Sequence, residues 1–172
     1  APGGKTAHLL ERADIDLTAL DADVARVARI SDNLQRLGLA ATVKVADAGN
    51  PEAWWDGRPF DRILADVPCS ASGVVRRHPD AKWLRRETDI DGFAATQARI
   101  IDALWRTLAP GGTMLYASCS VFAAENARQV EAFLGRHPDA RPVPDGAAAA
   151  GDAYQIPDAE HDGFFYALLQ KA

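Results

Sequence analysis

Two cysteines and three aspartates are the residues of this sequence best suited to chemistry. Cys69 lies in Asp66-Val67-Pro68-Cys69-Ser70-Ala71-Ser72-Gly73, and Cys119 in Ser118-Cys119-Ser120. Each thiol follows a β-rich run, Phe60 to Ala65 and Thr113 to Ala117, so both belong at the carboxyl ends of strands. A thiolate is a strong nucleophile, but a thiol near its ordinary pKa of ~8.5 is only a few per cent ionised at neutral pH. A nucleophilic role therefore demands a neighbouring base or a lowered pKa. Most lone cysteines are instead buried, inert apolar residues. Around Cys69 the serines and glycine argue for a loop, and an acid, a proline and a thiol in close succession at a strand end are not a usual core pattern. The thiols lack paired CxxC spacing, so no structural zinc site is expected, and two cysteines make no dense disulfide framework.

The other polar candidates point to a nucleotide-like ligand. Pro2-Gly3-Gly4-Lys5 opens a helix; glycines let a ligand approach the backbone, and helix-start N–H groups favour an anionic group. The spacing is neither that of a P-loop nor the G-x-G-x-x-G of a nicotinamide enzyme. Asp21 follows at a strand end, where a carboxylate can accept hydrogen bonds from vicinal ribose hydroxyls; the alternative is a helix N-cap, for which Asp23 competes. Asp47 is either an acceptor for an adenine amino group or a plain loop acid.

These residues need elements to hold them. Helices are predicted at Lys5 to Ala13, Asp23 to Leu37 and Phe93 to Leu108, a short one from Pro51, and another at Glu125 to Leu134. The second has apolar residues at Val24, Val27, Ile30, Leu34 and Leu37, with Gly38 as C-cap. Strands are predicted at Asp16 to Leu20, Thr42 to Val45, Phe60 to Ala65, Thr113 to Ala117 and Gly163 to Leu169. Ala109-Pro110-Gly111-Gly112 reads as a helix stop, Pro68 to Thr88 lacks periodicity, and Pro142 to Ala159 reads as a surface loop. Strands alternating with helices imply one α/β domain over residues 1–172, with a mostly parallel sheet and helices on both faces. Asp21, Asp47, Asp66 and Cys119 all fall at carboxyl ends of strands, where such sheets bind ligands. The opening Ala1-Pro2-Gly3-Gly4 reads as the turn after a first strand, so a first strand is expected upstream, in a longer protein.

The 172 residues carry a net charge of −5 and are 48% apolar, a composition typical of water-soluble globular proteins. Charge is unevenly spread. Arg76, Arg77, Lys82, Arg85 and Arg86, with His78, face a single acid, Asp80, so this stretch is near +4 and the remainder near −9. Such a run is either a solvated surface loop or a grip for phosphates. Its place directly after the Cys69 loop favours phosphate. Trp83 within it could stack on a base or pack into the core. No apolar run is long enough for a membrane span, and the first residues do not read as a secretory leader. A cytoplasmic monomer with free thiols and no metal is expected.

The motifs Ala1-Pro2-Gly3-Gly4-Lys5-Thr6, Asp66-Val67-Pro68-Cys69-Ser70, Arg77-His78-Pro79-Asp80 and Tyr116-Ala117-Ser118-Cys119-Ser120 resemble those of the RNA cytosine-C5 methyltransferases. Within them the chain looks like the bacterial Sun (Fmu) branch, which acts on small-subunit (16S) ribosomal RNA. The likeness runs to Asp162-Gly163-Phe164-Phe165-Tyr166. It implies a Rossmann-like fold binding S-adenosyl-L-methionine. Ala1, Pro2, Gly3, Gly4 and Lys5 would form the cofactor loop, Asp21 bind the ribose and Asp47 lie near the adenine. Asp66 would stand beside cofactor and target base, Cys119 be the nucleophile, and Cys69 assist product release. Val67 and Ser118 stand where alanine and threonine are frequent, and Ala124 replaces one acid of a Glu-Glu-Asn run.

The chemistry needs these groups. Attack by a thiolate on carbon 6 makes carbon 5 of the ring nucleophilic, splitting one hard step into two. Asp66 could stabilise charge on the ring, and the cytosine must be unstacked, as in a loop or single strand. Arg76, Arg77, His78, Lys82, Arg85 and Arg86 are the expected RNA contacts. The rivals are a methyltransferase of the same fold with another substrate, which would not need two cysteines at strand ends, and an RNA- or cofactor-binding module without activity.

Overall fold

The computed structural model describes residues 3–143 and 154–172. The chain divides into two compact units, Ala1–Asp56 and Gly57–Ala172. Ala1 and Pro2, two of the expected cofactor-loop residues, lie outside the described residues.

In the first unit α1 (Gly4–Arg12), β1 (Thr18–Asp21), α2 (Val24–Leu37) and β2 (Thr42–Val45) follow in order. β1 and β2 pair in parallel, Thr18 opposite Thr42 and Asp21 opposite Val45. Asp23, not Asp21, caps α2: its carboxylate accepts the N–H groups of Ala25 and Arg26 at 2.8 and 3.2 Å. Gly38 ends the helix at φ 67°, the left-handed conformation for which the absence of a Cβ suits it. Ile30 and Leu34 of α2 bury against Ala7, Leu10, Leu39 and Val43, each large side chain contributing about 1.5–3 kcal/mol of apolar burial. The outer positions of the predicted stripe, Val24 and Leu37, stay exposed.

The second unit contains β3 (Phe60–Asp66), α3 (Ala81–Leu84), α4 (Glu87–Thr107), β4 (Leu108–Ser118), α5 (Ala127–Arg136), β5 (Ala140–Pro142), β6 (Tyr154–Gln155) and β7 (Phe164–Lys171). Strand order is β3-β4-β7-β5, with β6 also on β7. β3 and β4 run parallel, joined through α4; β7 is antiparallel to β4, β5 and β6. The α/β alternation expected from the sequence is thus present, with a larger antiparallel share because the last strand returns beside β4. Met114, Tyr116, Phe133, Ile101 and Leu169 form the buried centre, each at most 1% exposed.

Three local expectations change. The Ala109-Pro110-Gly111-Gly112 stop does close the helix, α4 ending at Thr107, but it also forms an excursion inside β4: Phe60 pairs with Leu108 but Arg62 with Thr113, and Gly111 takes φ 76°. The aperiodic stretch holds α3 and the start of α4, because Asp89 accepts the Arg86 N–H at 2.9 Å and begins the helix before Phe93. The expected loop Pro142 to Ala159 carries the short edge pairings of β5 and β6 with β7, while residues 144–153 lie outside the described set. Among the described residues no helix is long and apolar enough to cross a membrane.

Candidate active site

The parallel register of β3 and β4 sets Asp66 opposite Ala117, so the two chains leave the sheet side by side. Val67 continues the ladder, donating to the Ala117 carbonyl at 3.1 Å. Cys69 comes three residues after β3 and Cys119 one residue after β4, and their Sγ atoms stand 3.3 Å apart. Both are reduced and half-buried. The loops touch directly: the Gly73 N–H donates to the Cys119 carbonyl at 2.8 Å, and the Gly163 N–H to the Gly73 carbonyl at 2.7 Å. A Cβ on Gly73 would lie 2.9 Å from the Cys119 carbonyl oxygen and closer still to that of Gly163. Only glycine fits that junction. Ala71 is held at φ 60°, a conformation costly for a residue with a Cβ, and its N–H is directed at Cys69.

At this spacing the thiols titrate as a pair. The hydrogen bond from Cys119 brings the Cys69 thiol down to about 7, helped by the Ala71 and Cys119 N–H groups and opposed by burial. The same hydrogen bond, then burial and the charges of Cys69 and Asp66, push Cys119 up. One thiolate therefore forms readily and a second is resisted. Asp66, at the exposed end of β3, supplies the carboxylate beside the pair.

Beneath the thiols lies a polar network that the sequence reading missed. Glu125 is fully buried. Its Oε1 accepts the Ser70 N–H at 2.8 Å and Gln97 Nε2 at 3.2 Å. Its Oε2 accepts the hydroxyls of Ser70 and Ser120 at 2.6 and 2.5 Å. Asn126, also fully buried, takes the Ser118 hydroxyl and donates to the Ser120 carbonyl at 2.7 Å, bracketing Cys119. The available signal was the Glu125-Asn126 pair six residues beyond the second cysteine, noted only through its neighbour Ala124.

The basic run divides. Arg77 pairs with the buried Asp162, and Arg76 stands 3.7 Å from it. Arg85 donates from Nε to the Ser70 carbonyl at 3.0 Å, with its guanidinium over the Phe93 ring. These three arginines thus have structural partners near the cysteine loops. His78, Lys82 and Arg86 are exposed. Trp83 is 81% exposed, which removes its core-packing alternative. A groove of about 820 Å³ opens here, lined by Lys82, Arg85 and Arg86, by Phe122, by Arg128 and by Ser70 of the Cys69 loop. Arg128 was not foreseen, because α5 is remote from the basic run in sequence.

In the first unit, Gly3 at φ 88° precedes α1, whose first residues are Gly4 and Lys5. A Cβ at Gly3 would sit 3.2 Å from Ile30. Asp21 closes β1, accepting the Asp23 N–H at 2.9 Å, with Arg26 at 3.9 Å. Asp47, two residues beyond β2, accepts the Gly49 N–H at 2.8 Å. The parallel pairing puts both acids at one edge of this small sheet. Among the described residues no His, Cys, Asp and Glu cluster could hold a metal ion.

Known proteins share this organisation. The chain is 53% identical to ribosomal RNA small subunit methyltransferase B of Vibrio vulnificus and 54% identical to that of Salmonella arizonae, in each case over 99% of the chain and 40% of the relative. It thus spans about two fifths of the length of the curated relatives it matches. Among solved structures, PH0851 matches at TM-score 0.86 and 34% identity, covering 99% of this chain and 41% of that one. NSun6 from Pyrococcus horikoshii with SFG matches at TM-score 0.84 and 28% identity, covering 99% and 46%. The chain shares their fold, which is α/β and Rossmann-like. The profile of the 16S rRNA methyltransferase RsmB/F family matches residues 1–170, and the chain belongs to that family.

Proposed function

We propose that this chain carries the catalytic domain of an S-adenosyl-L-methionine-dependent methyltransferase that modifies carbon 5 of a cytosine in small-subunit ribosomal RNA, in the cytoplasm. The observation that carries the reading is the pair of thiols 3.3 Å apart at the ends of adjacent parallel strands. The relatives named as small-subunit rRNA methyltransferases supply the substrate class.

Cys119 is the nucleophile. As its sulfur adds to carbon 6, its proton passes to the Cys69 thiolate across the existing hydrogen bond. The electron pair of the ring's 5,6 double bond moves into an enamine, so carbon 5 can take a methyl group. Asp66 accepts the amino N–H of the base with one oxygen and delivers a proton from the other to N3 as carbon 6 is attacked, neutralising the negative charge that develops on the ring; the proton returns to Asp66 when the ring is restored. Loss of the carbon-5 proton to a base then expels Cys119 and restores the aromatic ring, and Cys69 assists this release. The reactive methyl group is supplied by the cofactor when bound. Gly3, Gly4 and Lys5 would hold its anionic end at the start of α1, Asp21 its ribose and Asp47 its adenine; the positive φ of Gly3 and the acceptors at one sheet edge fit such a ligand. Lys82, Arg86 and Arg128 would meet phosphates of the strand in the groove, with Trp83 and Phe122 as stacking surfaces.

The test uses full-length protein, small-subunit rRNA tritiated at carbon 5 of cytosine, and S-adenosyl-L-methionine. Tritium is expected to enter water in step with methylation. Methyl incorporation without tritium release would overturn the carbon-5 assignment.

A further inference from the structure

The mechanism above uses the two thiols, but nothing in it accounts for how two separate loops hold them 3.3 Å apart. Each cysteine is followed by a serine, and both serines are buried, Ser70 at 0% and Ser120 at 1% exposure. Both hydroxyls point at the same atom, Oε2 of Glu125, at 2.6 and 2.5 Å. The remaining carboxyl oxygen takes the Ser70 N–H. Gln97 ties in from α4, donating both to Glu125 Oε1 and to the Pro68 carbonyl just before Cys69, the latter at 2.9 Å. Hydrogen-bond bookkeeping explains the residue type. With the Ser70 and Ser120 hydroxyls both donating to Glu125, Ser120 Oγ is free to accept the Phe122 N–H at 3.0 Å, and Ser72 Oγ to accept that of Val121 at 3.0 Å. A group that only accepts, on both oxygens, suits the centre of this network.

We propose that Glu125 is the positioning residue of the thiol pair, clamping the residue after Cys69 and the residue after Cys119 to one buried carboxylate. Its consequence for turnover rests on the function proposed above, whereas its consequence for the thiols does not. Glu125 touches no reacting atom; it acts by keeping the sulfurs close enough to share a proton. Placement of this kind is worth large factors in rate, since a shift of about 1 Å can cost roughly a hundredfold.

Two readouts on full-length protein test this. The first is the pH dependence of iodoacetamide alkylation at each cysteine, followed by peptide mass without RNA. Parent Cys69 is expected to react with a midpoint about 7. The direction of change in Glu125→Gln separates positioning from simple electrostatics. The negative charge of Glu125 itself opposes thiolate formation on Cys69, so a purely electrostatic role predicts a lower midpoint in the variant. Loss of the clamp separates the sulfurs, removes their hydrogen bond and raises the midpoint. Ser70→Ala and Ser120→Ala keep the carboxylate but remove its ligands, and are expected to raise it as well; they decide the matter if Glu125→Gln does not fold. The second readout is turnover: kcat should fall roughly tenfold or more with KM for RNA changed less than about twofold. A midpoint unchanged or lowered in the folded variants would overturn the proposal. A raised midpoint in the variants, with a parent protein that itself transfers no methyl group, would uphold the clamp and reject the proposed function instead.

Discussion

The cysteine loops and the basic segment that follows the first of them are opposites in construction. Around Cys69 and Cys119 the side chains of Ser70, Ser118, Ser120, Gln97, Glu125 and Asn126 are almost wholly buried and hydrogen-bonded to one another. From Arg76 to Arg86 the basic side chains are exposed, even where they are paired. Bond-making chemistry needs sub-ångström placement and therefore a supporting shell. Phosphate binding needs charge within a few ångströms, largely without regard to rotamer. The contrast has one exception. Arg85 belongs to the basic run, yet its Nε holds the Ser70 carbonyl, so one residue serves both regions.

Three experiments break or sharpen that contrast, and the largest expected effect belongs to Gly73→Ala, with the Glu125 series described above second. Gly73→Ala drives a Cβ into the Cys119 and Gly163 carbonyls. Both thiol-bearing loops must then shift, and methyl transfer is expected to fall by roughly a hundredfold while RNA affinity, measured by filter binding, changes little. Smallest are the groove cations. Lys82→Ala, Arg86→Ala and Arg128→Ala should each weaken RNA binding severalfold and lower the slope of log affinity against log salt by about one, leaving thiol alkylation untouched. Arg85→Ala should instead disturb both the salt slope and the alkylation profile. If Arg85 behaved like Lys82, its bond to Ser70 would be of no consequence to the thiols.

The part of this arrangement that sequence discloses is the part governed by local rules. Asp23 and Gly38 bound α2 as their capping chemistry demands, and the placing of Asp21, Asp66 and Cys119 at or just past strand ends follows from hydrophobic patterning. The parallel pairing of β3 and β4 then brings together two thiols fifty residues apart, which the spacing of their motifs suggested but could not measure. Glu125 escaped because a lone glutamate before a helix looks like any solvent-facing acid; its burial depends on Ser70 and Gln97, distant in sequence. The basic run was legible only in part. Arg77 is occupied by Asp162, which arrives from the far end of the chain, and Arg128 joins the groove from α5. Segments β5 and β6 were hidden because two or three residues carry no periodicity to read.

The central claim is that Cys119, not Cys69, forms the bond to the base, although the resting thiolate is shared with Cys69. It is tested most directly by incubating full-length protein with small-subunit rRNA containing 5-fluorocytidine and S-adenosyl-L-methionine, then mapping the trapped nucleotide by peptide mass. Fluorine at carbon 5 cannot leave as a proton does, so the adduct persists. The proposed function predicts a stable adduct on Cys119 that is lost in Cys119→Ala. An adduct mapped to Cys69, or none in a protein that methylates the unmodified RNA, would contradict it.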